Sequence, residues 1–175
     1  MNHDIPKIAA AMRDSHMASE WVALVRDVLD HDALRAFYRY SIVSYSDIYL
    51  RRLFLKQPGL LERLDLQDWI MVVRDVVSQP SQFQYVISFF YKFVGVDLLA
   101  TIERLDPPFA VEHRAVFQFT RGLESLFGVS KYDLRELANN DLHVGSFAGF
   151  QQLLVAEGAV ACVPGSIAFG GLVDY

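Results

Sequence analysis

The chain has 175 residues, 53% of them hydrophobic and 21% charged, and 16 Lys and Arg against 21 Asp and Glu leave a net charge of −5. This composition describes a folded globular chain and excludes a disordered segment, a collagen-like fibre and a disulfide scaffold. With four lysines among its cations, the chain is poorly suited to a broad phosphate-binding surface, because nonspecific nucleic-acid affinity comes from neutralising phosphates.

In chain order, Asp4 is placed to cap a short helix with Pro6 in its first turn. Ser19 is a candidate cap for a second helix, with Trp21, Val25, Val28 and Leu29 at helical spacing. Asp30-His31-Asp32 reads as a helix junction. Leu34, Phe37 and Tyr38, then Ile42, Tyr45, Ile48 and Tyr49, continue the helical pattern, weakened at the β-branched pair Ile42-Val43. Pro58-Gly59 is a stop signal. Asp65 is placed to cap a helix whose apolar face is Leu66, Trp69, Ile70, Val73, Val76 and Val77, with Pro80 ending it and Ser81 capping the next.

Phe83 to Val94 is apolar all round, the mark of a central helix, and Gly95 is placed to break or kink it before Leu98, Leu99, Ile102 and Leu105. No apolar run approaches the ~20 residues of a membrane span; the richest one, Tyr85 to Ala100, is interrupted by Ser88, Lys92 and Asp97. The N-terminus has no long apolar core of a secretory signal. Asp106-Pro107-Pro108 is a loop signal and a candidate boundary. Phe109 to Phe127 reads as one helix with Val116, Phe117, Thr120, Leu123 and Phe127 inward. Ser146 to Glu157 reads as another helix, ended by Gly158, and Ala159–Val163 with Ile167–Val173 reads as two short strands around Pro164-Gly165-Ser166. The expected fold is mainly α, a single helical domain with a small C-terminal β-hairpin. Residues 1–105 form a helical bundle and 109–175 a helical segment plus the β element, packed as one domain.

Motifs that carry chemistry are sparse. Phosphate-loop and nucleophile-elbow spacings are absent. Asp27, Asp30, His31 and Asp32 form the densest ligand-like cluster, and solvated helix-end carboxylates explain it more simply than a metal. Glu103 and Asp106 read as helix-end groups, and Glu112 and His113 as surface. Cys162, the sole cysteine, lies in an apolar run, as a small buried hydrophobe would, and a chain without a disulfide suits the cytoplasm. No catalytic residue, metal or cofactor is expected. The stretch Leu123–Leu137 resembles a helix-turn-helix, with Gly128 at the turn and Ser130–Ala138 as the reading helix, although Asp133 and Glu136 would face phosphates. The aromatics of Phe83–Phe93 leave a small-molecule-binding helical domain as a further alternative.

Aromatics and arginines are the residue types favoured at interface centres. Tyr38, Arg39, Tyr40, Tyr45, Tyr49, Arg51 and Arg52 are therefore the candidate partner-binding residues. Around them, Tyr38-Arg39, Leu53-Phe54, Pro58, Leu61, Arg63-Leu64, Trp69, Val73-Arg74 and Pro80 form a pattern covering 43 of the 175 positions. That pattern resembles the helical partner subunits of barrel-fold iron oxidases that modify ribosomally made peptides, the methanobactin-type partner subunit among them. Gln57 departs from it where an aromatic usually precedes the proline. The resemblance implies a non-catalytic subunit that docks an oxidase and helps present a peptide, the metal ligands belonging to the oxidase. The expectation is thus a cytoplasmic protein-interaction subunit or adaptor whose partner is another protein or a peptide.

Overall fold

The structure, a computed structural model, describes residues 4–14, 19–44, 53–54, 57–127 and 147–162. Among them the chain is mainly helical. It divides into two compact units, Met1–Asp75 and Val76–Tyr175. The Asp106–Pro108 loop signal falls inside the second unit.

The first unit opens with α1 (Ile5–Asp14), where Asp4 accepts a hydrogen bond from the Lys7 backbone N–H at 3.1 Å. Ile8, Ala9 and Met12 form its buried stripe, and it packs against α3. Helix α2 (Ser19–Ala23) runs into a π-helical turn at Leu24–Val28, closed by a bond from the Leu29 N–H to the Leu24 carbonyl. The wider turn changes which side chains share a face. Val25 and Leu29 are buried as their spacing predicts, while Val28 is turned to solvent.

Asp30 caps α3 (His31–Val43) by accepting from the Ala33 N–H at 2.8 Å. The buried residues Leu34, Phe37, Tyr38, Ser41 and Ile42 recur at three- and four-residue steps along it. The helix stops at the β-branched pair Ile42-Val43, with Ser44 already extended. Pro58 opens a 3₁₀ turn (Pro58–Arg63) that buries Leu60 and Leu61. Helix α4 (Leu66–Val76) starts with a reciprocal cap: the Asp68 N–H donates to Asp65 at 2.9 Å, and the Asp65 N–H donates to Asp68 at 3.1 Å. Tyr38 stacks on Trp69 at 5.5 Å and meets the edge of Phe54 at 5.3 Å, which places these rings at the centre of this core.

The second unit is built around α5 (Pro80–Phe89) and the π turn that continues it, Phe90–Val94. Pro80 begins this helix and Ser81 lies within it, correcting the expectation that Ser81 caps. A proline lacks the N–H that the first helical turn leaves unbonded anyway. Every residue from Val86 to Val96 is buried, as an all-round apolar sequence requires. Phe89, Phe90 and Phe93 pack on one another and on Phe147 and Phe150, so these rings serve as core filling. Gly95 ends the π turn at φ 76°, a left-handed conformation that suits glycine.

Asp97 caps α6 (Leu98–Leu105) and Asp106 caps α7 (Pro107–Glu112). At His113, φ −109° and ψ 30° interrupt the expected single helix, and α8 (Arg114–Phe127) follows. Helix α9 (Ala148–Ala156) packs on the π turn of α5 and ends before Gly158, whose φ is 118°. The segment after it is extended. Its pairing is an isolated antiparallel bridge of Ala161 to Val96, with the Asp97 N–H donating to the Val160 carbonyl at 2.8 Å and the Cys162 N–H to the Gly95 carbonyl at 2.9 Å. The expected hairpin partner, Ile167–Val173, lies outside the described residues, as does Ser130–Ala138 of the helix-turn-helix pattern.

Candidate functional site

The residues singled out from the sequence separate in the structure. Tyr38 does not belong to a surface: its side chain is fully buried and its hydroxyl donates to the Leu60 carbonyl. Burial holds that hydroxyl's pKa above its ordinary value, with the Arg63 charge acting in the opposite direction. The helical stripe that contains Leu34, Phe37 and Ile42 carries Tyr38 inward with them, and this signal was present in the sequence. Arg39 and Tyr40 are half-buried. Tyr45, Tyr49, Arg51 and Arg52 lie outside the described residues.

The acidic cluster at the start of α3 is divided among separate tasks. Asp27 pairs with Arg26 at 3.0 Å, a contact that holds its carboxyl below the usual range, and Asp30 is a cap. Asp32 pairs with Arg35, and His31 faces Asp68 at 3.4 Å. Arg35 also donates to Asp68 at 3.1 Å, so one largely buried carboxylate joins the N-termini of α3 and α4. Arg63 donates to the carbonyls of Val25, Arg26 and Leu29, which places a cation at the carbonyl-rich end of the π turn. These charges are structural. Among the described residues no three His, Cys, Asp or Glu side chains gather in a way that could hold a metal ion, and no helix is long and apolar enough to cross a membrane.

An open cleft of about 320 Å³ lies in the second unit between α6, α7 and α8. It is lined by Glu103 of α6, by Pro107, Ala110 and Val111 of α7, and by Arg114, Phe117, Gln118 and Arg121 of α8. The spacing explains the gathering. Positions 114, 117, 118 and 121 share one face of α8, and 107, 110 and 111 share one face of α7. The break at His113 separates the two helices, so that each supplies a wall. The His113 ring lies 4.5 Å from that of Phe109, which in turn meets Phe117 at 6.1 Å. Phe83 of α5 packs on Phe117 at 5.5 Å and supports the floor.

The polar rim is partly fixed. Arg121 binds Glu103 and lies 3.6 Å from Asp97. Arg114 is exposed and makes no ion pair among the described residues. Val111 is 60% exposed, so an aliphatic side chain stands at the mouth beside that cation. Sequence reasoning treated Glu103 as a solvated helix end and did not single out Arg114, Gln118 or Arg121. The mixed polar and apolar stripe at 103, 107, 110, 111, 114, 117, 118 and 121 was the available signal, hidden by reading one helix through His113.

No protein-family model matches this chain, and no curated protein or solved structure is found similar to it.

Proposed function

We propose that this chain is a non-catalytic protein-interaction subunit, a helical adaptor that works in the cytoplasm beside a metal-dependent, peptide-modifying oxidase. The observation that carries the interaction role is the open α6–α8 cleft, with an apolar floor, an exposed aliphatic mouth and arginines on its rim. Interface centres combine these residue types, whereas small-molecule sites enclose most of their ligand. The oxidase as partner rests on the resemblance over Tyr38–Pro80. Arg39, Tyr45, Tyr49, Arg51 and Arg52 remain the proposed docking residues on that side.

Affinity purification from the native cell at moderate salt, after nuclease treatment, tests the reading. One stoichiometric protein is expected, and a metal-dependent oxidase in that position supports the finer assignment. Arg51→Glu combined with Arg52→Glu is expected to release it while the circular dichroism spectrum stays unchanged. Recovery of nucleic acid alone, or of the bait alone, contradicts the proposal.

A further inference from the structure

The α6–α8 cleft points to its own occupant by charge and shape. Glu103 is answered by Arg121, which leaves Arg114 as the rim charge without a counter-ion among the described residues. Arg121 is shared between Glu103 and Asp97, so the attraction offered to an anion comes from Arg114 itself. Beside it lies an aliphatic and aromatic wall of Pro107, Ala110, Val111 and Phe117, and Gln118 adds a side chain able to donate and accept hydrogen bonds. The volume of about 320 Å³ stands at the small end of ligand cavities, roughly 300–1,000 Å³. The open form lets an occupant continue past the site.

We propose that the cleft binds a short acidic peptide segment of a partner protein. An aliphatic side chain of that segment sits against Val111 and Phe117, and a neighbouring Asp or Glu carboxylate accepts from the Arg114 guanidinium. A guanidinium suits this role because its planar fork matches a carboxylate in two parallel bonds. The inference rests on the reading of the chain as an interaction subunit and adds the site and the chemistry of what it holds.

The test is a synthetic array of amidated hexapeptides with Leu fixed at one position and Glu, Gln or Lys fixed two or three positions on, probed with the purified full chain. Preferential capture of the Glu set is expected, falling at high salt as the Debye length shortens to about 3 Å at 1 M. Arg114→Gln is expected to weaken capture about threefold and Arg114→Glu about tenfold, as loss and then reversal of one exposed charge contact. Val111→Asp is expected to remove capture through the apolar half of the site. Because Arg114 and Val111 are exposed, all three variants are expected to keep the parent circular dichroism spectrum. Equal capture of the Glu, Gln and Lys sets, no capture by the parent chain, or an undiminished Glu preference in folded Arg114→Glu overturns the proposal. If native purification still returns a stoichiometric protein in that event, the cleft assignment fails and the adaptor reading stands.

Discussion

Tyr38 illustrates how much a single hydroxyl depends on its surroundings. Inside the first unit it stacks on Trp69 and donates to the Leu60 carbonyl, so Tyr38→Phe is expected to cost about 1 kcal/mol, the net worth of one such bond. A denaturant midpoint at neutral pH measures this. The folded state also keeps the phenolic proton more tightly than the unfolded chain, whose tyrosine titrates at about 10. The stability linked to that proton is therefore complete below about pH 10 and is lost as pH rises beyond it. Between pH 9 and pH 11 the parent should lose more stability than Tyr38→Phe does; equal losses would refute the assignment. The residue types at this position were legible, but an aromatic beside an arginine suits an interface and a core edge alike. The stripe of Leu34, Phe37 and Ile42 decides between them, because it turns Tyr38 inward.

At the scale of the element, some helix starts were legible, because an Asp cap acts within three residues. Asp4, Asp30 and Asp65 all hold the N–H groups that local sequence assigns to them. The π turns at Leu24–Val28 and Phe90–Val94, and the break at His113, were not legible. Each is a slip in hydrogen bonding that composition does not encode. Long-range charges were hidden for another reason: Arg35 meets Asp68 and Arg63 meets the Val25 carbonyl only after the chain folds.

Asp68 concentrates these effects, and Asp68→Ala is expected to cost about 2 kcal/mol, one cap plus one charge-assisted bond. Arg35→Ala made in the Asp68→Ala background should then cost less than in the parent, since the two share a contact. Gly158→Ala is a conformational test. The added Cβ would meet Arg104 at an ordinary 3.5 Å, so the φ of 118° carries the penalty. A loss of about 1–2 kcal/mol is expected, and an unchanged thermal midpoint would contradict it.

At the scale of the whole molecule, the helical class was legible from amphipathic spacing and the dense aromatic content, which fills both cores. The division was not. Asp106-Pro107-Pro108 carries the strongest breaking residues, yet Asp106 caps α7 and Pro107 begins it, so the signal marks a helix start within one unit. The observed division falls at Asp75, in the last turn of α4, where no proline or glycine stands. The cleft was similarly hidden, since its walls come from three helices and its chemistry appears only when Arg114 is set beside Val111.

The most direct measurement is the molar ratio of partner to bait after purification from the native cell, for the parent chain and for Arg114→Glu side by side. A ratio near unity for the parent and a clearly lower one for the folded variant is expected. A parent chain that returns no protein partner would contradict the adaptor function itself, and an equal ratio in both would contradict the part given to the α6–α8 cleft.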